Sequence, residues 1–129
     1  MSGNRKRALV VDDEPEDLEM LRTVLAKLGY DVFTAGDGET ALRTFFNHPE
    51  TISLVVTDVA MSPMDGCELA ASLLRADPSL RVVFVSGYVG TEAFRYQHHH
   101  LQRVFPFLRK PLKAGELERE IQVVLKAVA

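Results

Sequence analysis

An open α/β fold, with a parallel sheet covered on both faces by helices, is predicted for this chain from three observations. Short apolar runs rich in Val, Leu and Phe alternate with longer stretches of helical periodicity, and the alternation repeats five times. Parallel strands need crossovers of a dozen or more residues, so this alternation favours βαβ units over hairpins. Finally, four of the five apolar runs end in an acidic, hydroxyl or ammonium residue. An open parallel sheet gathers its ligands just outside those carboxyl ends.

The first strand is Ala8-Leu9-Val10-Val11, and a helix follows from about Pro15 to Leu28. Leu18, Leu21, Val24, Leu25 and Leu28 recur at three- and four-residue steps and line one face of that helix. Gly29 is placed to end it as a left-handed cap. The second strand, Asp31-Val32-Phe33-Thr34-Ala35, carries a polar Thr34 and reads as an edge. It passes through the turn Gly36-Asp37-Gly38 into a helix containing Ala41, Leu42, Phe45 and Phe46. The third strand, Ser53-Leu54-Val55-Val56-Thr57, runs into Asp58. After the loop Met61-Ser62-Pro63-Met64-Asp65-Gly66 a helix is expected from about Cys67 to Ala76, closed by Asp77-Pro78. The fourth strand is Arg81-Val82-Val83-Phe84-Val85, ending at Ser86, and a weakly punctuated fourth helix is read from Thr91 to about Gln97. The fifth strand falls near Phe105-Pro106-Phe107-Leu108-Arg109, and a last helix runs from about Ala114 to Val128. The first, third and fourth strands are nearly continuous apolar runs, as strands buried on both faces should be.

Nothing interrupts this pattern, so one domain is expected over residues 1–129, with an ordered core of about 7–128. A chain of this size hides roughly two-thirds of its unfolded surface. Lys plus Arg is 15 against 18 for Asp plus Glu, a net charge of −3, which disfavours a nucleic-acid module built on clustered cations. The basic run Arg5-Lys6-Arg7 reads as a solubilising tail at a disordered end. With one cysteine, Cys67, no internal disulfide forms, and a buried, inert thiol is expected. No apolar run is long enough to span a bilayer and no signal peptide is read, so a cytoplasmic location is expected.

The strand ends carry the chemistry. Asp12 and Asp13 follow the first strand, Asp58 ends the third, Ser86 the fourth and Lys110 the fifth. Parallel strands bring all of these to one edge. Two like charges about 4 Å apart repel by roughly 1 kcal/mol in water and about 4 kcal/mol at an intermediate dielectric. Three ionised carboxylates therefore need a cation or a proton. Their hard oxygens suit Mg²⁺, with Mn²⁺ as a substitute, and leave room for a phosphate oxygen. Lys110 adds a point charge for the same phosphate.

These residues in this setting resemble the receiver domains of two-component signalling. The resemblance runs from Ala8-Leu9-Val10-Val11-Asp12-Asp13-Glu14 through Thr57-Asp58 and Met64-Asp65-Gly66 to Val85-Ser86-Gly87 and Lys110-Pro111-Leu112. It implies a flavodoxin-like, doubly wound sheet of five parallel strands in the order 2-1-3-4-5, flanked by five helices, as in the family's chemotaxis member. It further implies that Asp58 is the phosphoacceptor and that Asp12, Asp13, Asp58 and the backbone carbonyl of Ala60 hold Mg²⁺. Ser86 and Lys110 then bind the phosphoryl group, Lys110-Pro111 is a cis bond, and Ser86 with Phe107 forms a switch. Phe107 lacks a phenolic hydroxyl, so its signal must come from packing. The implied partner is a sensor histidine kinase or a histidine phosphotransfer protein, and the output surface is the face of the fourth helix, fifth strand and last helix, which also offers a homodimer contact. Such a protein is not a conventional enzyme. It catalyses its own phosphorylation and a weak self-dephosphorylation.

Some positions depart from the family pattern. Ser62 separates Met61 from Pro63, which predicts a local change of loop shape. Ala60 offers no polar side chain to hold a hydrolytic water and Tyr88 is bulky, so slow self-dephosphorylation is expected, while Gly87 leaves the cleft open. The stretch from Ser86 to Lys110 is slightly long, and Val85-Ser86-Gly87-Tyr88 has the flavour of hybrid-kinase receivers. No output domain is read after the last helix, so a free-standing regulator and a receiver excised from a longer protein both remain open.

Each residue also has a plainer reading. Asp12-Asp13-Glu14 before Pro15 can cap a helix, Asp58 and Ser86 can be turn residues, and Lys110 can be a solvated cation. Their joint placement favours the site. His98-His99-His100 reads as a solvated helix end or loop, because adjacent helical residues diverge by about 100°. Phe45-Phe46, Phe94 and the methionines read as core or loop packing. Two rival functions are a pseudo-receiver interaction module without phosphorylation and a flavodoxin-like cofactor binder. The second wants amides and hydroxyls after the first strand, where this chain has three acids in a row.

Overall fold

A computed structural model describes residues 6–48, 51–87 and 105–127. Its elements are β1 (Lys6–Val11), α1 (Pro15–Lys27), β2 (Tyr30–Ala35), α2 (Gly38–Asn47), β3 (Ile52–Asp58), α3 (Gly66–Ala76), β4 (Arg81–Ser86), β5 (Phe107–Arg109) and α4 (Ala114–Ala127). The helix expected from Thr91 to Gln97 lies outside the described residues, as do Tyr88, Phe94 and His98-His99-His100.

All paired strands are parallel, in the order β2-β1-β3-β4-β5. The chain steps outward from β1 to β2, then returns across β1 to β3, so the order reverses between β1 and β3. That reversal opens a crevice at their carboxyl ends.

Strand alternation sorts the core into two layers. Leu9, Val11, Val55 and Phe84 pack with Ala41 and Phe45 of α2 and Leu69 and Leu73 of α3. Ala8, Val10, Leu54, Val56, Val83 and Val85 face the other way, onto Leu21, Val24 and Leu25 of α1 and Leu117 and Ile121 of α4. Burying each such leucine or phenylalanine contributes at most about 1.5–3 kcal/mol. This two-sided burial is why β1, β3 and β4 read as unbroken apolar runs.

Local chemistry sets the helix ends. Gly29 adopts φ +100 after α1, a conformation that side chains with a Cβ resist. Asp37 accepts from the Thr40 amide at 2.7 Å to start α2. Asp65 and Glu68 form a reciprocal capping box at the start of α3, with distances of 2.8 and 3.0 Å.

Several expectations are corrected. Lys6 and Arg7 are no disordered tail: they begin β1, opposite Tyr30 and Asp31 of β2. β5 is shorter than read, starting at Phe107, because Pro106 has no N–H to give a ladder; its carbonyl still accepts from the Phe84 amide at 3.0 Å. Phe45 is core, but Phe46 is 55% exposed and meets Phe45 only edge-on. The plainer reading of Asp12-Asp13-Glu14 as a helix cap, set aside in favour of the site, is met only in position. Glu14 holds the N-cap position without a side-chain bond, and Pro15 needs no acceptor for an amide.

Candidate phosphoacceptor and metal site

Strand register assembles the site. Val11 of β1 lies opposite Thr57 of β3, so the next residues, Asp12 and Asp58, emerge side by side. Asp58 lies opposite Val85 of β4, which brings Ser86 to the same edge. Ser86 in turn lies opposite Arg109 of β5, and the Lys110 amide donates to the Ser86 carbonyl at 3.2 Å. Residues from four strands thus line one cleft, which Asp13, Asp58, Ala60, Gly87 and Lys110 bound. Its volume is about 400 Å³.

Carboxylate oxygens of Asp12, Asp13 and Asp58 lie within 4.8 Å of one another. Asp12 and Asp58 are 1% and 3% exposed, Ser86 is wholly buried, and Asp13 opens to solvent. One oxygen of Asp12 accepts from the Glu14 amide at 2.9 Å. Its other oxygen, Oδ2, is buried with no hydrogen bond, although the Lys110 ammonium stands 3.2 Å away off hydrogen-bonding geometry. Asp58 Oδ1 accepts from the Ala60 amide at 3.3 Å, and Asp58 Oδ2 is 3.3 Å from Lys110 Nζ. A buried anionic oxygen without a donor, amid hard oxygen ligands, fits a small divalent cation such as Mg²⁺.

Electrostatics agree with the crowding. Burial pushes the Asp12 carboxyl up to about 6; the Glu14 amide pulls against it, the Asp58 charge adds to it, and Lys110 opposes. Burial likewise raises Asp58, with Lys110 as the main counterweight. For Lys110, burial favours the neutral amine, but the carboxylates of Asp17, Asp12 and Asp58 more than offset it and hold the ammonium charged.

Sequence reasoning named Asp12, Asp13, Asp58, Ser86 and Lys110, and the fold brings them together. Ala60 lines the same cleft. The Lys110-Pro111 bond is cis, as the resemblance implied, and Ser62-Pro63 is cis as well. Phe107 lies beside Phe84 in the sheet and stacks on it, with ring centroids 5.2 Å apart. Missed were the further partners of Lys110: Glu14 at 3.3 Å and Asp17 at 3.0 Å. The available signal was their three-residue spacing around the first turn of α1, which puts both on one side of the helix. Cys67 is half-buried, not buried as expected. Burial, with Asp65 and Glu68 nearby, lifts its thiol to about 12, so it carries little thiolate at neutral pH. Three acids, Asp12, Asp13 and Glu14, follow β1, where a cofactor phosphate would need donors. Among the described residues, no helix is long and apolar enough to cross a membrane.

A family model described as the response regulator receiver domain matches residues 8–122. The probable transcriptional regulator ycf27 of Cyanophora paradoxa is 36% identical over 127 residues, covering 98% of this chain and 51% of that protein. The response regulator receiver protein CpdR of Brucella abortus is 31% identical over 122 residues, covering 95% of this chain and 98% of that one. The response regulator TrrA of Thermotoga maritima, solved in complex with Mg²⁺-BeF, superposes with a TM-score of 0.73 at 28% identity, covering 92% and 98% of the two chains. Several curated relatives are longer, and the chain spans 51% of one and 28% of another. By sequence and by architecture, the chain belongs to the response regulator receiver domain family.

Proposed function

We propose that this receiver domain is a phosphoacceptor switch in which Asp58 takes a phosphoryl group from a sensor histidine kinase or a histidine phosphotransfer protein. The observation that carries the reading is the convergence of Asp12, Asp13 and Asp58 within 4.8 Å, with Lys110 Nζ 3.3 Å from Asp58. An acidic trio with one ammonium beside it suits a divalent ion and a phosphoryl group together, and the Thermotoga relative was solved with Mg²⁺-BeF.

Asp12, Asp13, Asp58 and the Ala60 carbonyl are the residues that would hold Mg²⁺. When bound, that ion supplies positive charge against the carboxylates and the phosphoryl oxygens. A carboxylate oxygen of Asp58 forms the new O–P bond while the P–N bond of the phosphohistidine breaks, and the electron pair leaves on the imidazole nitrogen. With a small acyl phosphate, a P–O bond breaks and a carboxylate leaves instead. Lys110 donates to the phosphoryl oxygens as charge builds on them. The product carries about −1.5 to −2 charge on its phosphoryl oxygens, in place of the single charge of the Asp58 carboxylate. The Ser86 hydroxyl then donates to it, and Phe107 turns into the space released, changing the surface around β5 and α4.

The test is donor consumption. Acetyl phosphate should be turned over by wild type only with Mg²⁺ present, and not by Asp58→Asn. Equal turnover by Asp58→Asn would remove Asp58 from the reaction.

A further inference from the structure

The Lys110 ammonium stands within ion-pair distance of four carboxylates. It carries three N–H donors. Carboxylate oxygens of Asp17, Asp12, Glu14 and Asp58 lie 3.0, 3.2, 3.3 and 3.3 Å from Nζ. The nearest of the four, Asp17, lies outside the trio Asp12, Asp13 and Asp58 and groups instead with Asp12 and Glu14, their carboxylate oxygens within 4.8 Å of one another. It sits in the first turn of α1 and lines a second depression beside that cleft. Lys110 lines both depressions, with Asp58 in one and Asp17 in the other.

The four anions differ in what remains available to Lys110 once the site is loaded. Asp12 and Asp58 are among the residues that would hold a divalent ion, and their charge would then be shared with it. The Glu14 side chain is 66% exposed, so water and salt screen it. Asp17 is 18% exposed, adjoins the 13% exposed Lys110, and lies outside the proposed ion ligands. It is the anion that stays beside the ammonium and holds it toward α1, away from an incoming phosphoryl group.

We propose that Asp17 is a positioning residue that draws the Lys110 ammonium toward α1, competes with the phosphoryl group for it, and thereby sets how readily Asp58 is modified. This rests on the phosphoacceptor reading above. Replacing Asp17 with a neutral residue removes the competitor and leaves the ion ligands, Ser86 and Lys110 in place. An altered helix turn alone would weaken the site, so a gain distinguishes competition from a structural role.

The experiment is Mg²⁺-dependent modification of the full chain by acetyl phosphate. Half-saturating donor concentration and maximal rate are measured separately for wild type, Asp17→Asn, Asp17→Ser and Asp17→Glu. Both neutral variants should lower the half-saturating concentration by roughly three- to tenfold, and Asp17→Glu should behave as wild type. The difference should shrink at high salt. An unchanged or higher half-saturating concentration in both neutral variants, with wild type modified normally, overturns the role of Asp17 alone. A wild type that acquires no phosphoryl group overturns the underlying phosphoacceptor reading, and this inference with it.

Discussion

Gly66 packs its backbone directly against the carbonyl of Asp58: a Cβ built on Gly66 would lie 2.1 Å from that oxygen. The Gly66 amide also donates to the Val59 carbonyl at 2.9 Å, which ties the start of α3 to the end of β3. The glycine of Met64-Asp65-Gly66 therefore sets how closely α3 approaches the proposed phosphoacceptor.

Gly66→Ala should be destabilised by about 2–4 kcal/mol, because rigid backbone and not a flexible side chain blocks the new methyl. It should also be modified more slowly at Asp58, since the strand end must shift. Urea unfolding and the rate of acetyl phosphate consumption measure the two effects. Wild-type values for both would mean that the contact has no bearing on the site.

Without metal, stability should fall as pH rises from about 4 through about 6. The sign follows from Asp12, whose folded-state carboxyl is raised from 3.8 to about 6. Between those values the folded chain holds more protons than the unfolded one, so raising the pH favours unfolding. Asp58, raised in the same direction, adds to the trend. Asp12→Asn should therefore be more stable than wild type in chelator at neutral pH, by on the order of 1–3 kcal/mol, and equal to it near pH 4. Denaturant midpoints across this range test it. A wild type that gains stability from pH 4 to 6 would contradict the reading.

Mg²⁺ should reverse that penalty. At a roughly hundredfold excess over its Kd, the ion should add about 2.7 kcal/mol to wild-type stability. Asp12→Asn and Asp58→Asn should lose most of this gain, and Cys67→Ala should keep it. Thermal melts over a Mg²⁺ titration provide the measurement. A full gain in Asp12→Asn would show that the ion binds elsewhere.

The phosphorylated form should decay slowly. Ala60 lines the cleft and presents only a methyl group, so no side chain at this position holds a water in line with the phosphorus. Ala60→Asn should shorten the lifetime by roughly three- to tenfold. The decay of trapped phosphoprotein, followed by mass, distinguishes this from an indifferent position.

Much of this architecture was legible in the residues, for identifiable reasons. The unbroken runs of β1, β3 and β4 reflect two-sided burial, and Leu21, Val24 and Leu25 mark the buried face of α1. Asp58, Ser86 and Lys110 were legible because strand ends are punctuated by a change from apolar to polar. Strand order was not in the periodicity and came from the family resemblance. The start of β1 was hidden because Lys6 and Arg7 are charged, although an exposed strand end tolerates charge. Asp17 was hidden for another reason: its partner Lys110 is distant in sequence, and its spacing from Glu14 marks a shared helix side without saying what that side faces.

The most direct measurement is the mass of the peptide that contains Asp58, after incubation of the intact chain with acetyl phosphate in Mg²⁺ or in chelator. A single added phosphoryl group, located on Asp58, present with the metal and absent in chelator and in Asp58→Asn, is the expected result. An unmodified peptide at saturating donor and metal, or the same gain in Asp58→Asn, would contradict the account.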